Sequence, residues 1–208
     1  TLLAGKWLNN FSTKEDIISH MKEEALKRLK NSYLLSTIIK EENVVLVSNE
    51  TYEDPKKPSN AFKKAFNALS EHIQDQDMEK VSEDVAICFV YDFFTLKNKD
   101  NGTDVGGLTY LPQNRVEEFS EFAIRNYYKN YDEIVNELGK KSLPEVVNVT
   151  VQSKTETEVE YKNETYNGYT FNLTVEYDET KIPTEELKTT IQLTCLIYDM
   201  KAMVISVK

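Results

Sequence analysis

Apolar residues recur at every third or fourth position up to Leu138, and at every second position from Glu145 onward. That change of period divides the chain into a helical front and a stranded back. Phe62, Ala65, Phe66, Leu69 and Ile73 form the stripe of one helix, which Ser59 can cap. Asp75-Gln76-Asp77 ends it and supplies a cap for a second helix, with Val81, Val85, Cys88, Phe89, Phe93 and Leu96 on one side. Pro112-Gln113-Asn114 opens a third helix. Its predicted stripe runs unbroken through Val116, Phe119, Ala123, Tyr127, Tyr131, Ile134 and Leu138 to a stop at Gly139.

In the stranded back, Val147, Val149 and Val151 alternate with polar residues, as do Thr157, Val159 and Tyr161. Asn167-Gly168 predicts a hairpin turn, because both residue types tolerate positive φ. Tyr169, Phe171, Leu173, Val175 and Tyr177 predict the next inward face, and Ile191, Leu193, Cys195 and Ile197 another. A turn at Asp199-Met200-Lys201 leads into Met203, Ile205 and Val207. Four or five half-buried antiparallel strands are expected. The class is therefore α+β, with N-terminal helices packed on a C-terminal antiparallel sheet.

Ahead of these elements, Ser12-Thr13-Lys14-Glu15 reads as a capping box for a helix carrying Ile17, Ile18, Met21, Ala25 and Leu29. Val44-Val45-Leu46-Val47 predicts a short buried strand. The polar, doubly proline-marked segment from Tyr52 to Pro58 sets the expected boundary. An N-terminal helix–strand appendage at 1–55 would precede the main domain at 59–208.

That element order, with the Phe93-Phe94-Thr95-Leu96 helix end and the loop to Gly107, resembles the nuclear transport factor 2-like superfamily of cystatin-like α+β cones. The resemblance covers about residues 59–208 and implies a curved, cone-like sheet. The superfamily includes ketosteroid isomerase and polyketide cyclases. It also includes non-catalytic extracytoplasmic domains, such as core-assembly subunits of conjugative secretion systems and many lipoproteins. No catalytic motif of those enzymes aligns with a residue here, so none is carried over.

Charge narrows the partners. The chain has 35 acidic against 25 basic residues, a formal net charge of −10. Such a field repels phosphate backbones, so no nucleic-acid partner is expected. The most basic run, Lys22 to Lys30, is interrupted by Glu23 and Glu24 and reads as a solvated helix face. No apolar run approaches the roughly 20 residues of a membrane span. The chain opens on Thr1 rather than Met, which raises the expectation of a missing upstream signal peptide, lipoprotein anchor or transmembrane helix. Membrane contact is expected only through that segment. Asn-X-Ser/Thr sequons begin at Asn10, Asn49, Asn101, Asn148, Asn163 and Asn172 and favour an extracytoplasmic, envelope-associated setting. Abundant Asn, Lys, Glu, Ile and Tyr point to an AT-rich bacterial genome.

Candidate chemistry is sparse. Asp92 lies beside Phe93, where an apolar setting raises a carboxyl toward general-base range. It can equally face the helix edge or bond the backbone. Asp104-Val105-Gly106-Gly107 could present amides to a ligand, or simply close a loop on Asp104. Tyr127, Tyr131 and Tyr169 could line a ligand cavity, or pack in the core with hydroxyls at its rim. Cys88 and Cys195 read as buried thiols, with a long-range disulfide as the alternative. His20 and His72 are too few for a triad or a His-rich metal site; His72 reads as a helix-end cation. No metal, cofactor or catalytic set is expected. The expected function is a non-catalytic extracytoplasmic interaction or assembly domain of a membrane-tethered bacterial protein, with a protein partner or self-association. The alternative is a small-molecule-binding or isomerase-like cone using a pocket carboxylate.

Overall fold

The computed structural model describes Lys22 and residues 44–208. The chain divides into two units at Asn43/Val44. The Ser12–Glu15 capping box, its helix and His20 lie outside the described residues. The second unit is α+β: helices first, then one four-stranded antiparallel sheet in the order β1-β2-β3-β4.

Helix α1 spans Asn60–Gln74, and Ser59 accepts a hydrogen bond from the Phe62 amide at 3.2 Å. Helix α2 spans Met78–Phe94, capped by Asp77, which accepts from the Lys80 amide at 3.2 Å. Both caps fall where the sequence places them. Phe62, Phe66 and Leu69 of α1 are buried against α2. α2 is buried on nearly every side: Ala86, Val90 and Tyr91 join the predicted Val81, Val85, Cys88, Phe89 and Phe93. A helix apolar all round belongs in the centre of a core. Here α1 covers one side of α2, and all four strands contact it.

The third predicted helix is two. Helix α3 spans Val116–Asn126 and helix α4 spans Tyr131–Leu138. The Tyr127 and Tyr128 amides both donate to the Ala123 carbonyl, at 2.8 and 3.0 Å, and the chain turns out of the helix. The Tyr128 hydroxyl then donates to the Phe93 carbonyl at 2.7 Å. Four-residue spacing from Tyr127 to Tyr131 fits a continuous helix, so periodicity alone hides this break. α4 ends on Gly139, whose amide donates to the Val135 carbonyl at 3.0 Å.

Strand β1 spans Val146–Tyr161, β2 Glu164–Tyr177, β3 Thr190–Tyr198 and β4 Lys201–Val207. The β1–β2 turn is not Asn167-Gly168. It is Lys162-Asn163, with φ of 53° and 65°, the paired positive φ of a type I′ hairpin. Asp199 and Met200, at 51° and 57°, make the corresponding turn between β3 and β4. Gly168 instead sits inside β2, opposite Thr157 and Leu196.

A register shift between Val151 and Ser153 divides β1. One extra residue turns every later side chain to the other face of the sheet. Val149 and Val151 pair with Val175 and Leu173 toward the helices. Val159 and Tyr161 therefore face the opposite side. There they meet Leu196 and Met203 in a second, smaller cluster. The main core holds Phe171, Leu173, Val175, Ile191, Leu193 and Val204 beneath α2.

Val44–Val47 is not a buried strand. Val45 is 77 % exposed, and the segment pairs with no strand. The Asn67 side-chain amide takes the place of a strand partner: it accepts from the Val47 amide at 2.7 Å and donates to the Val45 carbonyl at 2.8 Å. Residues 44–55, placed by the sequence in the appendage, fall in the second unit. Tyr52 among them is buried and donates to the Ala202 carbonyl at 2.7 Å. Asn49, the head of a sequon, spends its side chain on Ser70 and on the Thr51 and Tyr52 amides.

Candidate functional site

Residues 95–107 leave α2, loop out and return, and most of the candidate residues meet on them. Thr95 starts the loop and accepts from the Val146 amide at 3.2 Å. The Leu96 and Lys97 amides donate to the Pro144 carbonyl at 3.0 and 3.2 Å. These bonds stitch the end of α2 to the start of β1.

Asp92 faces the inside of this loop. Its Oδ1 accepts from the Lys99 ammonium at 2.8 Å, and its Oδ2 accepts from the Gly107 amide at 2.7 Å. The Lys99 side chain is only 3 % exposed, against 16 % for Asp92. Asp104 closes the other half of the loop: it accepts from the Asp100 amide at 2.9 Å and from Lys56 at 3.1 Å. Burial pulls the Asp104 carboxyl upward, but those two donors outweigh it and hold it below the ordinary carboxylate value. The Tyr131 hydroxyl donates to the Lys99 carbonyl at 2.7 Å, and Tyr128 accepts from the Gly106 amide at 3.2 Å. Asp92, Asp104 and Tyr131 are thus brought together, as parts of a loop clasp. Each is engaged by backbone or lysine.

Tyr127 belongs elsewhere. It borders a cleft of about 340 Å³ between the end of α2, the α3–α4 junction and the β2–β3 connection. Phe93, Phe94 and Tyr177 form its walls, with Asn126, Asn130 and Lys188 among its polar lining groups. Neither Asp92 nor Asp104 lines it; the acid that does is Glu186, which is exposed. The Tyr177 hydroxyl donates to the Lys188 carbonyl at 2.9 Å, and burial raises its pKa. Tyr169 lies apart from both groups. It is half-buried beside Phe171 and borders a polar depression of about 390 Å³ with Glu156, Glu158 and Asn167. Burial first, then the charge of Glu79, raises its pKa. The five candidates therefore occupy three places.

A third hollow, about 330 Å³, separates α3 from β4 and is lined by Leu111, Phe119, Phe122 and Val204. Phe122 stands 52 % exposed between this groove and the cleft, its ring 6.3 Å from that of Tyr127. Sequence reasoning passed over Phe122, although its place off the α3 stripe marks it as outward-facing.

Cys88 and Cys195 are free, buried thiols rather than a disulfide, and burial pushes both pKa values up. Among the described residues, no three His, Cys, Asp or Glu side chains come together to hold a metal ion. No helix among them is long and apolar enough to cross a membrane.

His72 does more than face a helix end. Its Nδ1 lies 2.5 Å from Asp84 Oδ2, joining α1 to α2. Burial raises the Asp84 carboxyl from 3.8 to about 6, outweighing the bond to His72; Glu83 adds to the rise and Lys80 opposes it. A folded-state pKa above the unfolded one favours the protonated form. Its contribution to stability is full below pH 3.8 and lost as pH rises through about 6. Asp84→Asn cannot ionise. Between pH 4 and 7 it should therefore gain on the wild type by on the order of 2 kcal/mol, read from urea midpoints across that range. A constant difference would disprove the assignment.

Comparison of the chain with protein-family models, with curated proteins and with solved structures finds no match.

Proposed function

We propose that this chain is a non-catalytic interaction domain of an extracytoplasmic, membrane-tethered bacterial protein, and that it engages a protein partner through the α3 face. The observation that carries the proposal is the ridge of Phe122 and Tyr127, exposed at 52 % and 41 % between two clefts. Large side chains held out of the core beside clefts with aromatic walls fit the anatomy of a protein interface, where a few aromatic anchors carry most of the binding energy. The engagement of Asp92 and Asp104 within their own loop supports the non-catalytic part of the reading. The helices-before-sheet order supports a place beside the nuclear transport factor 2-like cones.

A photo-crosslinking residue at position 122 of the full chain, in its native cells, tests the proposal. The expected result is a discrete protein adduct from position 122 and none from Lys64, which is exposed on α1. Phe122→Asp should abolish association with the captured partner while changing stability by less than about 0.5 kcal/mol, as for other exposed positions. Equal labelling from both positions would sink the proposal.

The second reading, a small-molecule site, is favoured by the Tyr127–Tyr177 cleft, whose 340 Å³ falls in the range of ligand pockets. Saturable binding there, lost in Tyr177→Ala and unaffected by Phe122→Asp, would establish it in place of the first.

A further inference from the structure

The second cluster, on the sheet face turned away from α2, carries three tyrosines that no other part of the fold explains. Tyr161 lies at the end of β1, Tyr166 near the start of β2 and Tyr198 at the end of β3. The three ring centroids stand 5.3 to 6.4 Å apart, and each ring meets the others edge to face, with interplanar angles of 64° to 79°. Their positions are fixed from below and from the side. Val159, Leu196 and Met203 are buried with Tyr161 in this cluster. The Tyr161 hydroxyl bonds Asn114 Oδ1 at 3.2 Å, and the Tyr166 hydroxyl donates to Glu164 at 2.6 Å.

A cation already sits on this group. The Lys162 ammonium, from the hairpin turn, lies 4.7 Å from the Tyr198 ring centroid and 5.2 Å from that of Tyr161. Both distances fall within the range over which the ring quadrupole attracts a cation. Among the described residues, no carboxylate lies within 4 Å of this ammonium and no hydrogen-bond acceptor meets it. The seat offers ring faces alone. A primary ammonium placed there leaves its three donors to water. A cation without N–H donors needs only the ring faces and is weakly hydrated. The net charge of −10 draws cations toward the surface.

We propose that the saddle between Tyr161 and Tyr198 binds a trimethylammonium group of the choline class, with Lys162 as the built-in occupant that the ligand displaces. The proposal is independent of the α3 interface, which lies on other elements.

The test is a titration of the full chain with choline, followed by amide shifts over Val159–Tyr166 and Tyr198–Met203. Lys162→Met removes the competitor. The cation–π energy of an exposed lysine corresponds to a gain in choline affinity of about two- to fivefold. Lys64→Met changes the net charge equally at a remote exposed position and should leave the affinity unchanged. Tyr198→Leu keeps apolar bulk over Leu196 but removes a ring, and should weaken binding at least as much as Lys162→Met strengthens it. The neutral carbon isostere of choline should bind more weakly than choline itself. Phosphatidylcholine vesicles, run beside free choline, distinguish a lipid headgroup from a soluble ligand; binding in either arm with the Lys162→Met gain supports the site. The proposal is overturned if Lys162→Met fails to tighten binding, if the isostere binds as well as choline, or if neither arm shows saturable binding.

Discussion

Lys99→Met should lower the stability of the domain by about 3 kcal/mol, the low end of the cost of breaking a buried ion pair. The low end applies because Asp92 keeps some solvent contact and retains its bond from the Gly107 amide. Methionine preserves the apolar stem, so what disappears is the ammonium that meets Asp92 Oδ1. Asp92→Asn alone should cost a similar amount, since it leaves the 3 %-exposed Lys99 without its ion-pair partner. The double variant should cost less than the two single costs added, because no uncompensated charge then stays buried. Urea midpoints at unchanged slope read the three values. Amide exchange at Gly106 and Gly107 should quicken in every variant, because the clasp holds both amides. A general-base role for Asp92 predicts instead a protein that stays stable and loses only activity. A Lys99→Met change below about 0.5 kcal/mol, the range of ordinary surface substitutions, would refute the structural role.

Elements whose signals are local were legible in the sequence. Ser59, Asp77 and Gly139 mark helix ends through their own side chain or backbone, and each appears at the expected end. The α1 and α2 stripes were legible because burial on a helix is written at a fixed period. The misreadings have a common cause in longer-range bonds. Tyr128 breaks the third helix by reaching Phe93, 35 positions away. The bulge after Val151 turns Tyr161 to the far face, although its alternation continues that of Val151. Lys99 drew no attention because a lysine in a polar loop is normally solvated, and only the return of the chain over Asp92 buries it. Asp92 and Asp104 stood out in the sequence as acids beside an aromatic helix end and a glycine-marked loop. Sequence could not show that Gly107, Asp100 and two lysines would engage them. The tyrosine saddle was out of reach for the same reason: its three rings come from three strands.

Gly168 is where the second large effect is expected. Asn167-Gly168 reads as a turn because glycine accepts positive φ, yet the residue is needed here for its missing side chain. A Cβ at this position would lie 2.3 Å from the Cys195 carbonyl oxygen and 3.1 Å from a Val159 methyl carbon. The carbonyl belongs to the backbone of β3, so no rotamer change relieves the contact. Gly168→Ala must separate β2 from β3, where Tyr169 pairs with Cys195 and Gly168 with Leu196. Overpacking a core costs about 1–3 kcal/mol, and a clash with paired backbone belongs at the upper end, about 3 kcal/mol. The damage should be uneven. Val159 and Leu196 flank the glycine and carry the tyrosine saddle, whereas α1 packs on the other side of α2. Gly168→Ala should therefore quicken amide exchange first at Val159–Tyr166 and Leu196–Met203, while the α1 amides stay protected until global unfolding. Gly139→Ala separates sterics from conformation. Its φ is 83° and nothing lies within 4 Å of the added Cβ, so it carries backbone strain without a clash. If the alanine at 168 proves no more costly than the one at 139, or if α1 and the saddle lose protection together, close approach of β2 to β3 is not what Gly168 provides.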